Sequence, residues 1–331
     1  MSGIDVTRRN FIGAAIAGAA GLGMTATGRA ATEDKGEAAR NPNVYRFRIG
    51  EAEAFSISDC AIGLREGLGL MWPEEARPEM KREMERRGER TDELPLYVNV
   101  LVVRAGKEVA VFDAGFGRGD NPNMGWFMAG LESAGIRADE VTAGFISHAH
   151  ADHLNGFLDH GRPAFPNAKI YLLEEELAFW RSPEPDFSKT KRDQGQIPGM
   201  IREVRRNFDL LQPQLQPVRH GAVVLGGLVT VESAPGHTDG HACFRIQSGE
   251  AELLHLADLS HHHLLMFADP EWTIAFDHDP ETAVVSRKKY WREAAEARTR
   301  CYGFHLPWPG LGNIISQEGA YQWWPERWRW A

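Results

Sequence analysis

The chain predicts an α+β fold in which two packed sheets are covered by helices. Three observations carry this. Short apolar runs of strand length fall in two groups, one in each half of the chain, with helical stretches interspersed. The apolar run at 141–146 ends in Ser147-His148-Ala149-His150-Ala151-Asp152-His153, so a strand delivers four metal-competent side chains at its C-terminal end. Three more polar residues, His237, Asp258 and His305, each stand where another strand stops. At 331 residues the chain can bury a full core as one large domain or two small ones.

Taken in order, residues 1–31 come first. Arg8-Arg9-Asn10-Phe11-Ile12 precedes a short, weakly apolar run and a small-residue stretch ending near Ala30-Ala31. That is the layout of an export signal, and the arginine pair resembles the twin-arginine type. The run is too short and too glycine-rich for a stable membrane span. Residues 32–43 read as a polar linker, and 44–331 as the functional domain. Residues 44–62 alternate in places (Tyr45, Phe47, Ile49, then Phe55, Ile57) and read as a strand pair. Residues 64–95 read as a long insertion holding a short amphipathic helix, flanking the mouth of the site. Strands are expected at 96–103 and 109–113, the second ending in the tight turn Asp113-Ala114-Gly115. A helix is expected at 126–134, strands at 141–146 and 168–173, and helices at 174–181 and 197–211, before a Gln/Pro stretch at 212–217. Strands then follow at 222–225, 228–234, 241–247 and 252–257, a helix at 282–299, and short strands near 301–304 and 319–324.

Composition narrows the class. The 43% hydrophobic and 25% charged fractions are those of an ordinary soluble globular chain. A net charge of −9 argues against a general nucleic-acid or anionic-membrane binder, which needs a basic face. Cys60, Cys243 and Cys301 are scattered, without a Cys-x-x-Cys pair, and read as buried thiols rather than a disulfide framework.

The histidine run points to metal. His148 and His150 are two apart and face the same way in extended backbone, whereas adjacent Asp152 and His153 diverge. This suits two ions a few ångströms apart. Imidazole and carboxylate without thiolate suit zinc, and also manganese, iron or cobalt. His237 lies in Ala234-Pro235-Gly236-His237-Thr238-Asp239-Gly240-His241, where a Pro-Gly turn after a strand fixes the imidazole at a sheet edge. Asp258 closes an apolar strand, and His305 follows Cys301-Tyr302-Gly303-Phe304. All three can converge with the first run on one edge of a sandwich.

His148-Ala149-His150-Ala151-Asp152-His153 matches H-x-H-x-D-H, and on that run and the later residues the chain resembles the metallo-β-lactamase fold superfamily. The resemblance implies an αββα sandwich. It places His148, His150 and His237 on one metal, Asp152, His153 and His305 on a second, and Asp258 across both. Asp113 and His241 fall at positions that orient the ligands. Two divalent ions would acidify a shared water and bridge the resulting hydroxide, which attacks a carbonyl carbon or phosphorus. Asp152 would accept or relay the proton. No Ser, Cys or Lys nucleophile is needed.

The residues also exclude branches of the superfamily. True β-lactamases of this fold lack an acid at the Asp258 position, and oxygen-reducing diiron members carry an acid where His150 stands. Nucleic-acid-processing members need extra domains or a basic surface. What remains resembles methyl parathion hydrolase and the related lactonases and arylesterases. That likeness runs from about residue 44 to 324 through Phe165-Pro166-Asn167-Ala168, Glu174 to Trp180, Phe276-Asp277, Arg287-Lys288-Lys289 and His305-Leu306-Pro307-Trp308-Pro309-Gly310. It implies a small neutral ester, lactone or phosphotriester as substrate and an aromatic pocket, with Trp180, Trp126 and Phe267 as candidates. His261-His262-His263 departs from those relatives, which are apolar there. The three histidines read as loop residues bordering the pocket, able to add a substrate contact, with His262 the candidate, or a stray metal ligand. The alternative is a mononuclear iron oxidoreductase of the same fold, akin to persulfide dioxygenases, using His148, His150, His237 or Asp258 and leaving His153 and His305 idle. The expected partner is a small molecule, with neither nucleic acid nor, once the signal is cleaved, a membrane. The Trp-rich tail (Trp323, Trp324, Trp328, Trp330) makes a homodimer a further expectation.

Overall fold

The computed structural model describes residues 43–60 and 62–327. The export signal, all but the last residue of the linker, Trp328 and Trp330 lie outside them.

Two seven-stranded sheets form the body. In spatial order the first holds Val44–Ile49, Ala52–Ser58, Asn99–Ala105, Glu108–Phe112, Ala143–Phe145, Lys169–Leu173 and Leu215–Val218. Its first four strands are antiparallel, and its last four run parallel to one another. Parallel neighbours need a crossover, and the helices Phe127–Ser133, Glu174–Arg181 and Ile197–Leu211 lie in those connections. The second sheet holds Ala222–Val224, Val229–Ser233, Ala242–Ser248, Ala251–His255, Arg300–Tyr302, Leu311–Gln317 and Ala320–Pro325. It is antiparallel except where Ala251–His255 meets Arg300–Tyr302, whose connection carries the helix Pro280–Ala297.

Both faces of each sheet are covered, so the strands read as near-continuous apolar runs. Along Asn99–Ala105, Leu101 and Val103 point between the sheets, where they join Phe112, Phe145, Val231, Phe244 and Tyr302. Phe112 stacks on Phe145 at 4.7 Å and meets Phe244 across the layer at 5.4 Å. Val100 and Val102 point outward beneath Phe127, Leu131, Val204 and Phe208 of the covering helices. On the far side Cys243, Leu254 and Cys301 lie under Tyr290 and Trp291. The layers are therefore helix, sheet, sheet, helix. All three cysteines are buried free thiols.

Several elements differ from the sequence reading. The 64–95 insertion is closed at its base by the hairpin of Ile62–Arg65 with Glu93–Leu96 and contains two helices, Gly67–Met71 and Arg77–Arg86. Met80 and Met84, four apart on one helix face, bury completely against the second sheet's helical layer. The Gln/Pro stretch is in part a strand, Leu215–Val218, at the sheet edge where Pro217 removes no needed donor. Leu311–Gln317 was not expected at all and pairs on both sides. Asp258 sits in a single 3-10 turn, Ala257–Leu259, beyond the strand end at His255.

Candidate metal centre

The strand Ala143–Phe145 stops, and the chain stays extended through His150 (φ −68°, ψ 156°) before the helical turn Ala151–Leu154 begins. This change of backbone sends His148 and His150 to one place and Asp152 and His153 to another. Asp113, held at φ 53° beyond its own strand, locks the first pair to the second. Its Oδ1 accepts from Ser147 N at 2.8 Å, and its Oδ2 accepts from Ser147 Oγ at 2.7 Å and from His153 Nδ1 at 2.8 Å. His153 then carries its hydrogen on Nδ1 and turns an Nε2 lone pair inward.

The other histidines are oriented in the same manner. His237 Nδ1 donates to Asp277 Oδ1 at 2.8 Å, and His305 Nδ1 donates to the Tyr97 carbonyl at 2.7 Å. His148 Nδ1 faces Ser147 Oγ at 3.0 Å, a hydroxyl already donating to Asp113. His241 Nδ1 donates to the Ala234 carbonyl at 2.9 Å, so its Nε2 accepts from Asp258 N at 3.1 Å and sets that residue's place. His150 is reversed, its Nδ1 lying 2.9 Å from His148 Nε2 and 3.0 Å from His237 Nε2.

Three groups of donor atoms result. His148, His150, His237 and Asp258 form the first, Asp152, His153 and His305 the second, and Asp258, His261 and His305 an overlapping third, each with its donor atoms within 4.8 Å of one another. Asp258 faces both of the first two. Its Oδ2 is 3.1 Å from His237 Nε2 and 3.5 Å from His148 Nε2, while its Oδ1 is 3.1 Å from His153 Nε2 and 3.3 Å from His305 Nε2. Asp152 Oδ2 lies 3.3 Å from His305 Nε2.

These residues fit metal ions on their own geometry. His153 Nε2 and Asp258 Oδ1 are buried without a hydrogen-bond partner, a costly state for polar atoms. With the Nδ1 hydrogens of His148 and His237 turned outward, lone pairs crowd together within 3.0 Å around His150. A cation between them relieves both. Nitrogen and carboxylate donors without sulfur suit a borderline ion such as zinc.

Electrostatics divide the histidines. Burial pushes the His148 and His150 rings well below the ordinary value, aided by His153 for the first and by Arg192 for the second. Burial also opposes a charged His305, but Asp258 and Asp152 outweigh it and lift the ring to about 10. Burial is likewise overcome at His153, raised by Asp258, Asp152 and Asp113, and at His237, raised by Asp258 and Asp277.

Four residues at this centre escaped the sequence reading. Glu176, fully buried in the helix Glu174–Arg181, accepts from Ala149 N at 2.8 Å and Trp180 Nε1 at 2.7 Å with one oxygen. Its other oxygen accepts from Thr238 Oγ1 at 2.6 Å and Gly240 N at 3.1 Å, so one carboxylate clamps the His148–His150 and His237–His241 loops together. In sequence it is the third of three consecutive glutamates, which reads as a solvated first turn. Asp277 carries no signal in the sequence beyond its place in the Phe276-Asp277 segment of the resemblance. Arg192 reaches His150 Nε2 with Nη2 at 3.1 Å. His261 was read as a loop residue, but its ring is 4% exposed, with Nε2 2.9 Å from Asp258 Oδ2 and its plane stacked 5.0 Å from His305.

Of the four pocket candidates, Trp180, Phe267 and His262 are packed in the interior and Trp126 is partly exposed. Trp180 is wholly buried and braces Glu176 from behind. Trp126 is partly buried and donates to the Pro122 carbonyl. Phe267 stacks on Trp291 at 4.2 Å in the helix-covered core. His262 turns from the centre and accepts from Leu264 N and Leu265 N, at the start of the short helix Leu265–Ala268. Consecutive side chains in extended backbone diverge, so when His261 faces Asp258, His262 faces Trp72 of the insertion. The insertion also reaches the segment beside Asp277, where Ala275 N donates to the Met71 carbonyl at 2.6 Å.

With this geometry in hand, comparison with known proteins is decisive for the family. Residues 94–296 match the model of the metallo-β-lactamase superfamily. The chain belongs to the metallo-β-lactamase superfamily. Among solved structures this superfamily member is similar to AidC, a dizinc quorum-quenching lactonase in complex with a product, N-hexanoyl-L-homoserine. The likeness is 28% identity and a TM-score of 0.82, covering 87% of this chain and 98% of that one. The hydrolase AbOPH shares the fold, at 23% identity and a TM-score of 0.79 over 87% of this chain and 98% of its own. A curated relative, a probable metallo-hydrolase of Streptococcus pyogenes serotype M6, is 32% identical over 111 residues. That match spans 33% of this chain and 44% of the relative. A metal-dependent hydrolase of this superfamily is the function class these likenesses support.

Proposed function

We propose that the chain is a dinuclear, zinc-type hydrolase that opens lactones. The observation that carries this reading is Asp258, a buried carboxylate with one oxygen facing each group of histidines. Bound there, two divalent cations supply an acidified water and polarise the substrate's carbonyl oxygen. His148, His150 and His237 would hold one ion and Asp152, His153 and His305 the other. Asp113, Asp277, His241 and the Tyr97 carbonyl keep the ligands in one tautomer and one orientation, so little reorganisation accompanies the reaction. Asp152, with 18% of its side chain exposed where the others are sealed, is placed to accept a proton and pass it on. The depth of the remaining ligands keeps bulk water from competing.

Lactones are favoured over aryl esters and phosphotriesters by the 28% likeness to a dizinc lactonase over nearly the whole chain. A mononuclear iron oxidoreductase would leave His153 and His305 without a task, although their donor atoms are drawn together with that of Asp152. A panel of acyl lactones, aryl esters and phosphotriesters, run on enzyme with its metal quantified, decides among these. Lactone turnover with about two zinc ions per chain is expected. Absence of lactone turnover from fully loaded enzyme would sink the reading, and one iron per chain would favour the oxidoreductase. Export by the twin-arginine route belongs to the same proposal. Replacing Arg8 and Arg9 by lysine should hold the protein in the cytoplasmic fraction, and unchanged fractionation would refute it.

A further inference from the structure

His305 stands in two of the donor groups, once with Asp152 and His153 and once with Asp258 and His261. The second of these has no task in the chemistry above. His261 Nε2 is 2.9 Å from Asp258 Oδ2, and its ring centre lies 4.9 Å from that of His237 and 5.0 Å from that of His305, so it touches candidate ligands of both ions. The side chain is 4% exposed, and among the described residues its Nδ1 is buried without a hydrogen-bond partner.

The loop beneath this ring is firmly held. His261 N donates to Met266 Sδ at 3.2 Å, Ser260 Oγ donates to the His262 carbonyl at 3.2 Å, and Arg287 Nε donates to the Leu259 carbonyl at 2.9 Å. The backbone is thus fixed with the imidazole aimed at the centre. What the ring lacks is an outward partner. His153, His237 and His305 each tie Nδ1 to an acceptor, which settles tautomer and angle. With Nδ1 untied, His261 can give an Nε2 lone pair to a cation or an Nε2 hydrogen to Asp258, which makes it a less prepared ligand. Two imidazoles and one carboxylate are still a sufficient donor set for zinc with one position open.

We infer that Asp258, His261 and His305 form a second, weaker station for the ion otherwise held by Asp152, His153 and His305. His305 offers one inward nitrogen, so a single ion uses the two stations in turn. The inference rests on the dinuclear reading and goes beyond it, because an ion at the second station leaves Asp152 unligated. Asp152 has duties to both metal and proton, and a carboxylate beside a divalent cation is a poor proton acceptor. Two stations separate those duties in time.

The test is a cycle of Asp152→Ala and His261→Ala, singly and together, in the full zinc-loaded protein. It reads the Kd of the second zinc ion by competition with a chromophoric chelator. In the wild-type background His261→Ala is expected to weaken that Kd by less than about threefold, and in the Asp152→Ala background by about tenfold or more, because the weaker station has become the main one. Equal effects in the two backgrounds are those of a merely supporting ring and overturn the inference. The second measurement does not need the double variant. Anomalous diffraction at the zinc edge from Asp152→Ala crystals should place the second ion about 2.1 Å from a His261 nitrogen. An ion that stays beside His153, out of reach of His261, overturns the inference. Wild type that binds a single zinc ion ends the dinuclear reading and the second station with it, whereas two ions without coupling end the second station alone.

Discussion

His305 is the residue on which the second metal group depends. It supplies one of three donors there, and its Nε2 also faces Asp258 Oδ1 at 3.3 Å. His305→Ala is expected to lower bound metal from about two ions per chain toward one and cut turnover by roughly a hundredfold or more. Unchanged activity with full metal content would remove this ring from the site. Protons give an independent reading. Because Asp258 and Asp152 lift the ring from 6.5 to about 10 against the pull of burial, the metal-free protein carries a proton there at neutral pH. A raised folded-state value means that the ring's charge stabilises the metal-free fold fully below 6.5, an effect lost as pH rises through about 10. Loading must expel that proton. Calorimetry in buffers of different ionisation enthalpy should show proton release at neutral pH that fades as pH nears 10, less in His305→Ala. The seven candidate ligands were legible because four crowd one short run and three stand alone at strand ends. His261 was not, since three consecutive histidines give no sign of which one turns inward.

At the scale of elements, the loops are held by backbone groups that only particular residues can reach. Glu176 accepts hydrogen bonds from Ala149 and Gly240 N and from the Trp180 and Thr238 side chains. Glu176→Gln keeps the volume but turns one acceptor into a donor facing donors. It is expected to cost about 3 kcal/mol of unfolding free energy in urea titration and to weaken metal affinity, and a loss under about 1 kcal/mol would contradict the clamp. Gly156 closes the first metal run for a steric reason, since a Cβ there would lie 1.8 Å from the Ala114 carbonyl oxygen. Gly156→Ala must displace either the Ala151–Leu154 turn or the Asp113 turn, so it too should reduce metal occupancy. Strand and helix types were mostly readable from apolar runs of the right length. Leu215–Val218 was not, because an edge strand with Gln216 and Pro217 lacks the continuous apolar run that marks strands covered on both faces. Glu176 was hidden by its neighbours Glu174 and Glu175, which share its chemistry but not its burial.

For the whole molecule, the division of ligands between the sheets matters most. Asp113, His148, His150, Asp152 and His153 follow strands of the first sheet, and His237, Asp258 and His305 follow strands of the second. Ions bound between them would tie the halves together, so chelation is expected to lower Tm and zinc to restore it, each tenfold excess of free metal over Kd adding about 1.4 kcal/mol. A Tm indifferent to chelator would place the ions elsewhere. The same division also bears on biogenesis. As the chain leaves the ribosome, its early half offers a histidine run that lacks His237, Asp258 and His305. Tight capture of a cation pair must wait for the last of these to arrive and dock, so a loaded centre certifies that both sheets have been made and have come together.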